Sequence, residues 1–443
     1  MLLPKSELKK KYIEKARKIF EHNLFEGYSP WKKTHYKFIA PARKEYTYQF
    51  LWDTAFHAIV LSNFDTEWAK SEIKNFLLGQ WPNGFIPHII FWGATTATLP
   101  HWAFIESKAS LRPATTAITQ PPILGLAIEQ IFNKDPDLEF LKEVVPKVAK
   151  HYRWIHDNRD PDEDHLVSII SPNESGMDEL PVFQVVSGFL GQDLVRLHYS
   201  FRKPDILNQR YGFNSKKILE KDYFNVEEVL FNTTYIENAR TLSRLFIHLG
   251  DKVESDFFKK VADESEASLL EKMWDEEDQI FYSLYSKKEI KAKVKTVASL
   301  LPLFLEKLPK DKVDLLLSKH LLNPAEFWTQ YPVPTVSQDD IHYSPLEFPK
   351  YKQGTGGKIM DKVYLTFYKE LKMLWRGPTW IATNWFIVKG LRKHGQDEVA
   401  DKIVLKMVEM IEKWGFREYY NPETGQGYRR ENFGWSTLIL DLL

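Results

Sequence analysis

Apolar residues recur every three to four positions over long stretches of this chain, the spacing that gathers them on one face of an α-helix. The pattern predicts helices over residues 8–25, 50–62, 68–78, 114–132, 138–156 and 184–198. It predicts more over 226–249, 253–273, 292–305, 310–321, 379–393, 398–414 and 432–442. Strict alternation is scarce, and 281–285 is the one candidate strand. Connections alternate between short turns and long loops rich in aromatics and proline, which is the rhythm of a toroid of paired helices with loops walling one end. The expected fold is therefore all-α, an (α/α)6 barrel forming a single domain over 1–443. The longest irregular stretch, 331–372, carries Gly354, Gly356 and Gly357 and is expected to act as a lid.

Composition narrows the function classes. With 43% hydrophobic and 27% charged residues in 443, the chain has the material for a large core. Lys plus Arg and Asp plus Glu are equal at 60 each, so no long-range field favours nucleic acid or an anionic membrane, and neither is expected as a partner. Apolar runs such as 56–61 and 300–305 fall far short of the roughly 20 residues that cross a bilayer. The lysine-rich start lacks the apolar stretch of a secretory signal, which makes the cytoplasm the expected location. Cysteine is absent, removing disulfides, thiol nucleophiles and thiolate metal sites. His57, His88 and His101 lack partners at zinc-ligand spacing, and the 354–357 glycines lack a following GK[ST]. No metal and no cofactor are expected, and His88 is read as structural or hydroxyl-binding. A homo-oligomer stays open, because sequence does not separate surface apolar residues from core.

Aromatic residues make up 14% of the chain, with 14 Trp. Flat rings serve equally in a core and against the face of a sugar, so position must decide. Four segments combine rings with carboxyl or guanidinium groups where a loop meets a helix: YQFLWDTAFHA (48–58), SGMDE (175–179), LWRGPTWIATNWF (374–386) and FREYYNPETGQG (416–427). Hydrolysing a glycosidic bond with inversion requires a protonated carboxyl to meet the leaving oxygen and a carboxylate to deprotonate water, about 6.5–9.5 Å apart. Asp178 sits in a turn-forming run that either caps a structure or projects an acid. Glu418 lies among rings ahead of the NPETG turn and either pairs with a nearby cation such as Arg417 or serves as a base. Asp53 is a helix-start charge or a sugar-hydroxyl acceptor. Gln120, ahead of Pro121 and Pro122, caps a helix or orients a hydroxyl. Trp375, Arg376 and Trp380 surround an Arg-Gly-Pro turn as candidate substrate contacts, whereas Trp385 reads as core.

Taken in order, these segments resemble glycoside hydrolase family 63. The matching elements are Trp52-Asp53, Gly176-Met177-Asp178, Trp375 to Pro378, Glu418 to Gly425 and Gly434-Trp435-Ser436. The resemblance, spanning about 46–443, implies an (α/α)6 catalytic barrel that hydrolyses α-glycosides with inversion. It implies Asp178 as general acid, Glu418 as general base, and Trp52, Asp53, Gln120, Trp375 and Trp435 as walls of the sugar subsite. Its compact members are similar to mannosylglycerate and glucosylglycerate hydrolases, so a small carbohydrate carrying glycerate is the expected substrate. Short α-gluco-oligosaccharides and trehalose-like disaccharides are the alternative; a sugar 2-epimerase or a non-catalytic carbohydrate-binding protein ranks below both. Leu374 stands where the glycerate-cleaving subgroup has Tyr, and Tyr46 is a candidate contact for the acid moiety.

Overall fold

The computed structural model describes residues 5–94, 98–108, 114–189, 191, 193–346 and 374–443. Among these, six inner helical segments form a closed ring. They are Leu51–Leu61, Leu124–Lys134, Val229–His248, Val297–Phe304, Ile381–Lys393 and the C-terminal run Gly434–Leu438 with Ile439–Leu442. Each packs on the next and the last returns to the first. Each inner segment is also backed by an outer one: Thr66–Leu77, Leu138–Arg159, Lys252–Ser268, Lys310–Leu315 continued by Leu316–Leu321, Asp397–Trp414, and Lys5–His22. The chain's first helix thus backs its last one, and the architecture is an (α/α)6 barrel. A single hydrophobic cluster reaches from Leu8 to Leu442 around the whole ring.

The two rings are built from different sequence patterns. Every residue of Leu51–Leu61 is buried, as expected of a helix apolar on all sides. Asp397–Trp414 instead buries a stripe, Ala400, Ile403, Val404, Met407 and Ile411 among it, and leaves its other face in water. Asp65, Asp137 and Asp251 start three outer helices by accepting backbone N–H groups of the first turn. Inner helices also need close approach: a Cβ at Gly390 would stand 2.4 Å from the Leu303 carbonyl oxygen.

Several predicted boundaries differ. The helix expected at 114–132 begins only at Leu124, because Pro121 and Pro122 offer no N–H to a helical turn and the preceding residues run as a loop. The element expected at 184–198 is two helices, Pro181–Val186 and Leu194–Arg210, separated around Gly188 at φ +67°. Val297–Phe304 and Gly434–Leu438 are 3-10 rather than α, the former containing Pro302. The 281–285 strand resolves into Ile280–Phe281 and Leu284–Tyr285, which belong to different small sheets. Two hairpins escaped the pattern: Leu24–Ser29 with Thr34–Ile39, and Arg417–Tyr420 with Gly427–Glu431. Of the expected lid, the first residues are tied into the wall: Tyr331 N–H bonds Pro422 O, Thr335 N–H bonds Pro378 O, and Val333 is fully buried. Residues 347–372, including the glycines, lie outside the described residues.

Candidate active site

The N-terminal ends of the inner helices surround a cavity of about 390 Å³, the size of a small-molecule site. Asp178 and Glu418 both line it, with Tyr46, Asp53, His88 and Gln120. Trp52, Trp375, Trp380 and Trp435 supply its aromatic walls. Arg376 is the exception among the predicted contacts. It is fully buried behind the wall, donating through Nε to the Glu179 carbonyl at 2.9 Å and through Nη1 to Gln184 Oε1 at 2.8 Å. Both of these bonds hold the loop that carries Asp178.

That loop is braced from beneath. Arg159, at the end of Leu138–Arg159, forms a two-pronged ion pair with Glu174, both N···O distances being 2.6 Å and both side chains buried. Glu174 also accepts the backbone N–H groups of Ile170 and Thr119. Ser171 caps the short Pro172–Ser175 turn, and Gly176 ends it at φ +72°. A Cβ at Gly176 would stand 2.7 Å from the Trp52 ring, so glycine is needed both for the left-handed backbone and for the loop to lie on that indole. Asp178 then emerges into the cavity without capping a helix, since the following Pro181–Val186 is preceded by Leu180. Burial pushes the Asp178 carboxyl above its ordinary range, while the Arg202 and Arg429 guanidiniums and the Trp375 indole N–H, which donates to it, pull it back.

Glu418 is delivered differently. In the terminal hairpin Arg417 pairs with Glu431 and Tyr419 with Tyr428, so Glu418 alone faces two residues, Arg429 and Arg430. This is a β-bulge, and Arg429 takes the positive φ of +58° that such a position favours. The bulge aims Arg429 Nη1 at Glu418 Oε1, 3.0 Å away, while the Tyr46 hydroxyl donates to the same oxygen at 2.9 Å. A guanidinium and a phenol on one buried oxygen favour the ionised carboxylate. Arg417, the expected partner, pairs with Glu431 instead. Tyr46 is thereby a ligand of Glu418, a role its sequence position did not suggest.

The remaining walls suit a sugar. Trp375 and Trp380 stack at 3.9 Å, and Trp435 stands edge-on to Trp52 at 5.2 Å. Asp53 Oδ1 is buried with no protein hydrogen-bond partner, as are Trp380 Nε1, Trp435 Nε1 and His88 Nδ1, so these polar atoms are available to hydroxyl groups. Burial pushes Asp53 well up and lowers His88 to about 3, leaving that imidazole neutral. Gln120 Oε1 accepts the Trp52 N–H, tying the loop before one inner helix to the first turn of another. Sequence reasoning missed Glu179, Arg202 and Arg429, which also line the cavity; in sequence they are ordinary charges. Among the described residues, Asp160, Asp162 and Asp164 are spaced to hold a cation, in a different loop where Lys272 already pairs with Asp164 at 2.6 Å. No helix among the described residues is long and apolar enough to cross a membrane.

Comparison with known proteins agrees with this geometry. Residues 46–436 match the family model of the mannosylglycerate hydrolase MGH1-like glycoside hydrolase domain. A mannosylglycerate hydrolase of Thermus thermophilus is 29% identical over 429 residues, covering 91% of this chain and 95% of that one. A glucosylglycerate hydrolase of Mycolicibacterium hassiacum is 24% identical, with 90% and 92% covered. The crystal structure of a GH63 mannosylglycerate hydrolase from Thermus thermophilus, in complex with Tris and D-glycerate, superimposes with a TM-score of 0.79 at 28% identity, covering 97% of this chain and 99% of that one. With the family model spanning the barrel and the cavity at its mouth, the chain is a glycosidase of glycoside hydrolase family 63 and belongs to its mannosylglycerate hydrolase MGH1-like group.

Proposed function

We propose that this enzyme, as one catalytic domain, hydrolyses a small α-glycoside of glycerate, mannosylglycerate or glucosylglycerate, with inversion, releasing the sugar and glycerate. Asp178 donates its proton to the glycosidic oxygen, and Glu418 takes a proton from the water that attacks the anomeric carbon from the opposite face. The observation that carries this reading is the contrast between two carboxyls lining one cavity. Asp178 is buried and pushed toward its neutral form, while Glu418 is held by Tyr46 and Arg429. Asp53 accepts a sugar hydroxyl, and the indoles cover the ring faces.

The choice of a glycerate aglycone draws on the relatives' activities and on charge. Leu374 in the cavity wall offers the acid moiety no side-chain hydrogen bond, so a cation must meet it. Arg202 and Arg429 both line the cavity, each also bonded to a protein carboxyl, Glu106 and Glu418, and together they give it the positive charge that suits a carboxylate-bearing leaving group. The test is a panel of mannosylglycerate, glucosylglycerate, trehalose and short α-gluco-oligosaccharides, followed by NMR of the nascent sugar. Turnover of a glycerate glycoside with the β-anomer appearing first is expected. An initial α-anomer overturns the mechanism, and turnover confined to the neutral sugars overturns the substrate class.

A further inference from the structure

Residues 374–379 run from one wall of the cavity to the other and are bonded to both. At one end, two neighbours along the chain, Asp178 and Glu179, meet three others, Leu374, Trp375 and Arg376. The Glu179 carboxyl accepts the Leu374 N–H, and the Glu179 carbonyl accepts Arg376 Nε at 2.9 Å. Trp375, held between those two bonds, donates its indole N–H to Asp178. At the other end, Thr379 and Tyr420 exchange both of their backbone hydrogen bonds, at 2.8 and 2.9 Å. Tyr420 lies two residues beyond Glu418 on the strand Arg417–Tyr420. Between these ends the segment has little freedom. The Arg376 carbonyl accepts the Ser344 N–H at 2.6 Å, and the Gly377 N–H donates to Thr335 Oγ1 at 2.9 Å. A Cβ at Gly377, where φ is +152°, would stand 2.7 Å from the Ser344 carbonyl oxygen, and the ring of Pro378 fixes the next φ.

Inversion needs the two carboxyls about 6.5–9.5 Å apart, so that a water fits between the sugar and the base. A displacement of about 1 Å is enough to cost roughly a hundredfold in rate. The Arg159–Glu174 pair fastens the Asp178 loop to its own outer helix, whereas the bonds of residues 374–379 cross from one wall to the other. Arg376 makes the deepest of these contacts. Its side chain is fully buried, and its second bond, from Nη1 to Gln184 Oε1 at 2.8 Å, reaches the helix Pro181–Val186 that follows the Asp178 loop. One planar guanidinium thereby keeps both loop and helix in register with the crossing segment. We propose that Arg376 is a positioning residue that sets the separation of Asp178 and Glu418: it locks the Asp178 loop onto residues 374–379, whose far end is bonded to the Glu418 hairpin. Arg376 acts through Glu179 and the loop, and its effect falls on Asp178 because the Thr379–Tyr420 bonds keep the other end in place.

This inference rests on Asp178 being the general acid, so the experiment reads acid catalysis directly. A glycosyl fluoride releases fluoride without a donated proton, yet still needs the water that Glu418 activates. Each variant is assayed on a glycerate glycoside and on the α-fluoride of the same sugar, mannosyl or glucosyl. Asp178→Asn tests the acid assignment by itself. It should lose activity on the glycerate glycoside and keep most of it on the fluoride, and equal losses refute the assignment. Arg376→Lys keeps the charge but cannot span both acceptors. It should lower kcat on the glycerate glycoside by roughly 10- to 100-fold with KM changed less than about twofold, and kcat on the fluoride by less than about threefold. General damage to folding lowers both alike. If Asp178→Asn discriminates between the substrates while Arg376→Lys loses both equally, or loses neither, the proposal is overturned and the acid assignment stands. Gln184→Leu removes the outer acceptor and leaves the Glu179 bond, so it should show the same selective loss more weakly. Should Arg376→Lys fail to fold, an unselective loss or none in Gln184→Leu overturns the proposal.

Discussion

Asp178 comes from an irregular loop between outer and inner helices, braced by the Arg159–Glu174 ion pair and laid on Trp52, whereas Glu418 comes from a two-stranded hairpin whose bulge sets Arg429 against it. The first wall surrounds its carboxyl with burial, other acids and two guanidiniums that are bonded to other carboxyls; the second gives its carboxyl a guanidinium and a phenol by direct hydrogen bonds. Two side chains of the same chemistry thus meet different surroundings in one cavity, one raised by burial and the other hydrogen-bonded by a guanidinium and a phenol. The difference also separates two kinds of support. The loop of Asp178 depends on a network several residues deep, while Glu418 depends on direct contacts, so damage on the two sides should read out differently.

The strongest way to break the comparison is to remove the carboxyls themselves. Asp178→Asn and Glu418→Gln should each lower kcat by roughly 10²- to 10⁴-fold while circular dichroism stays that of the folded enzyme. If either variant keeps wild-type turnover, that wall is not catalytic. Next in size is Arg429→Met, which removes the guanidinium paired with the buried Glu418 carboxyl. It should cost about 3–5 kcal/mol in denaturant unfolding and reduce kcat as well. A loss of turnover with unchanged stability would mean that Glu418 is not held by this pair in the resting enzyme. Smallest is Trp375→Phe, which deletes the indole N–H donated to Asp178 but keeps a ring against Trp380. Losing a donor to the anion raises the pH at which the acid ionises, so the basic limb of kcat should move upward by less than about one unit. A downward shift would show that the indole does not stabilise the ionised acid.

Much of the barrel was legible because its inner and outer helices bury different widths of surface, and burial writes itself into apolar spacing. The errors fall where spacing alone is blind. Apolar residues ran at helical period through 114–123 and across the break near Gly188, although proline and a left-handed glycine had made other arrangements there. The hairpin of Arg417–Tyr420 and Gly427–Glu431 is short, half polar and stabilised by its seat against Thr379, so alternation gave it no signature. The NPETG turn was visible, and it pointed to a reversal of the chain without revealing the bulge beyond it.

For the site, the order of motifs along the chain singled out Asp178, Glu418, Asp53, Gln120 and the tryptophans, and all of these line the cavity. Arg376 lies behind the wall, bonded to Glu179 and Gln184, a placement that a guanidinium in such a turn does not announce in sequence. Glu106, Glu179, Arg202 and Arg429 were illegible for a related reason: a charged residue in a polar stretch is a solvated surface group unless distant elements bury it.

Sequence by itself determined which segments are helical, which carry rings and carboxyls together, and which two carboxyls belong to the family pattern, since local spacing and motif order are properties of one dimension. Tertiary structure decided which carboxyl meets which cation. Tyr46 and Glu418 are 372 positions apart, and Arg202 and Glu106 are 96 apart. The protonation states that separate an acid from a base depend on charges within a few ångströms, and only closure of the ring brings those charges together.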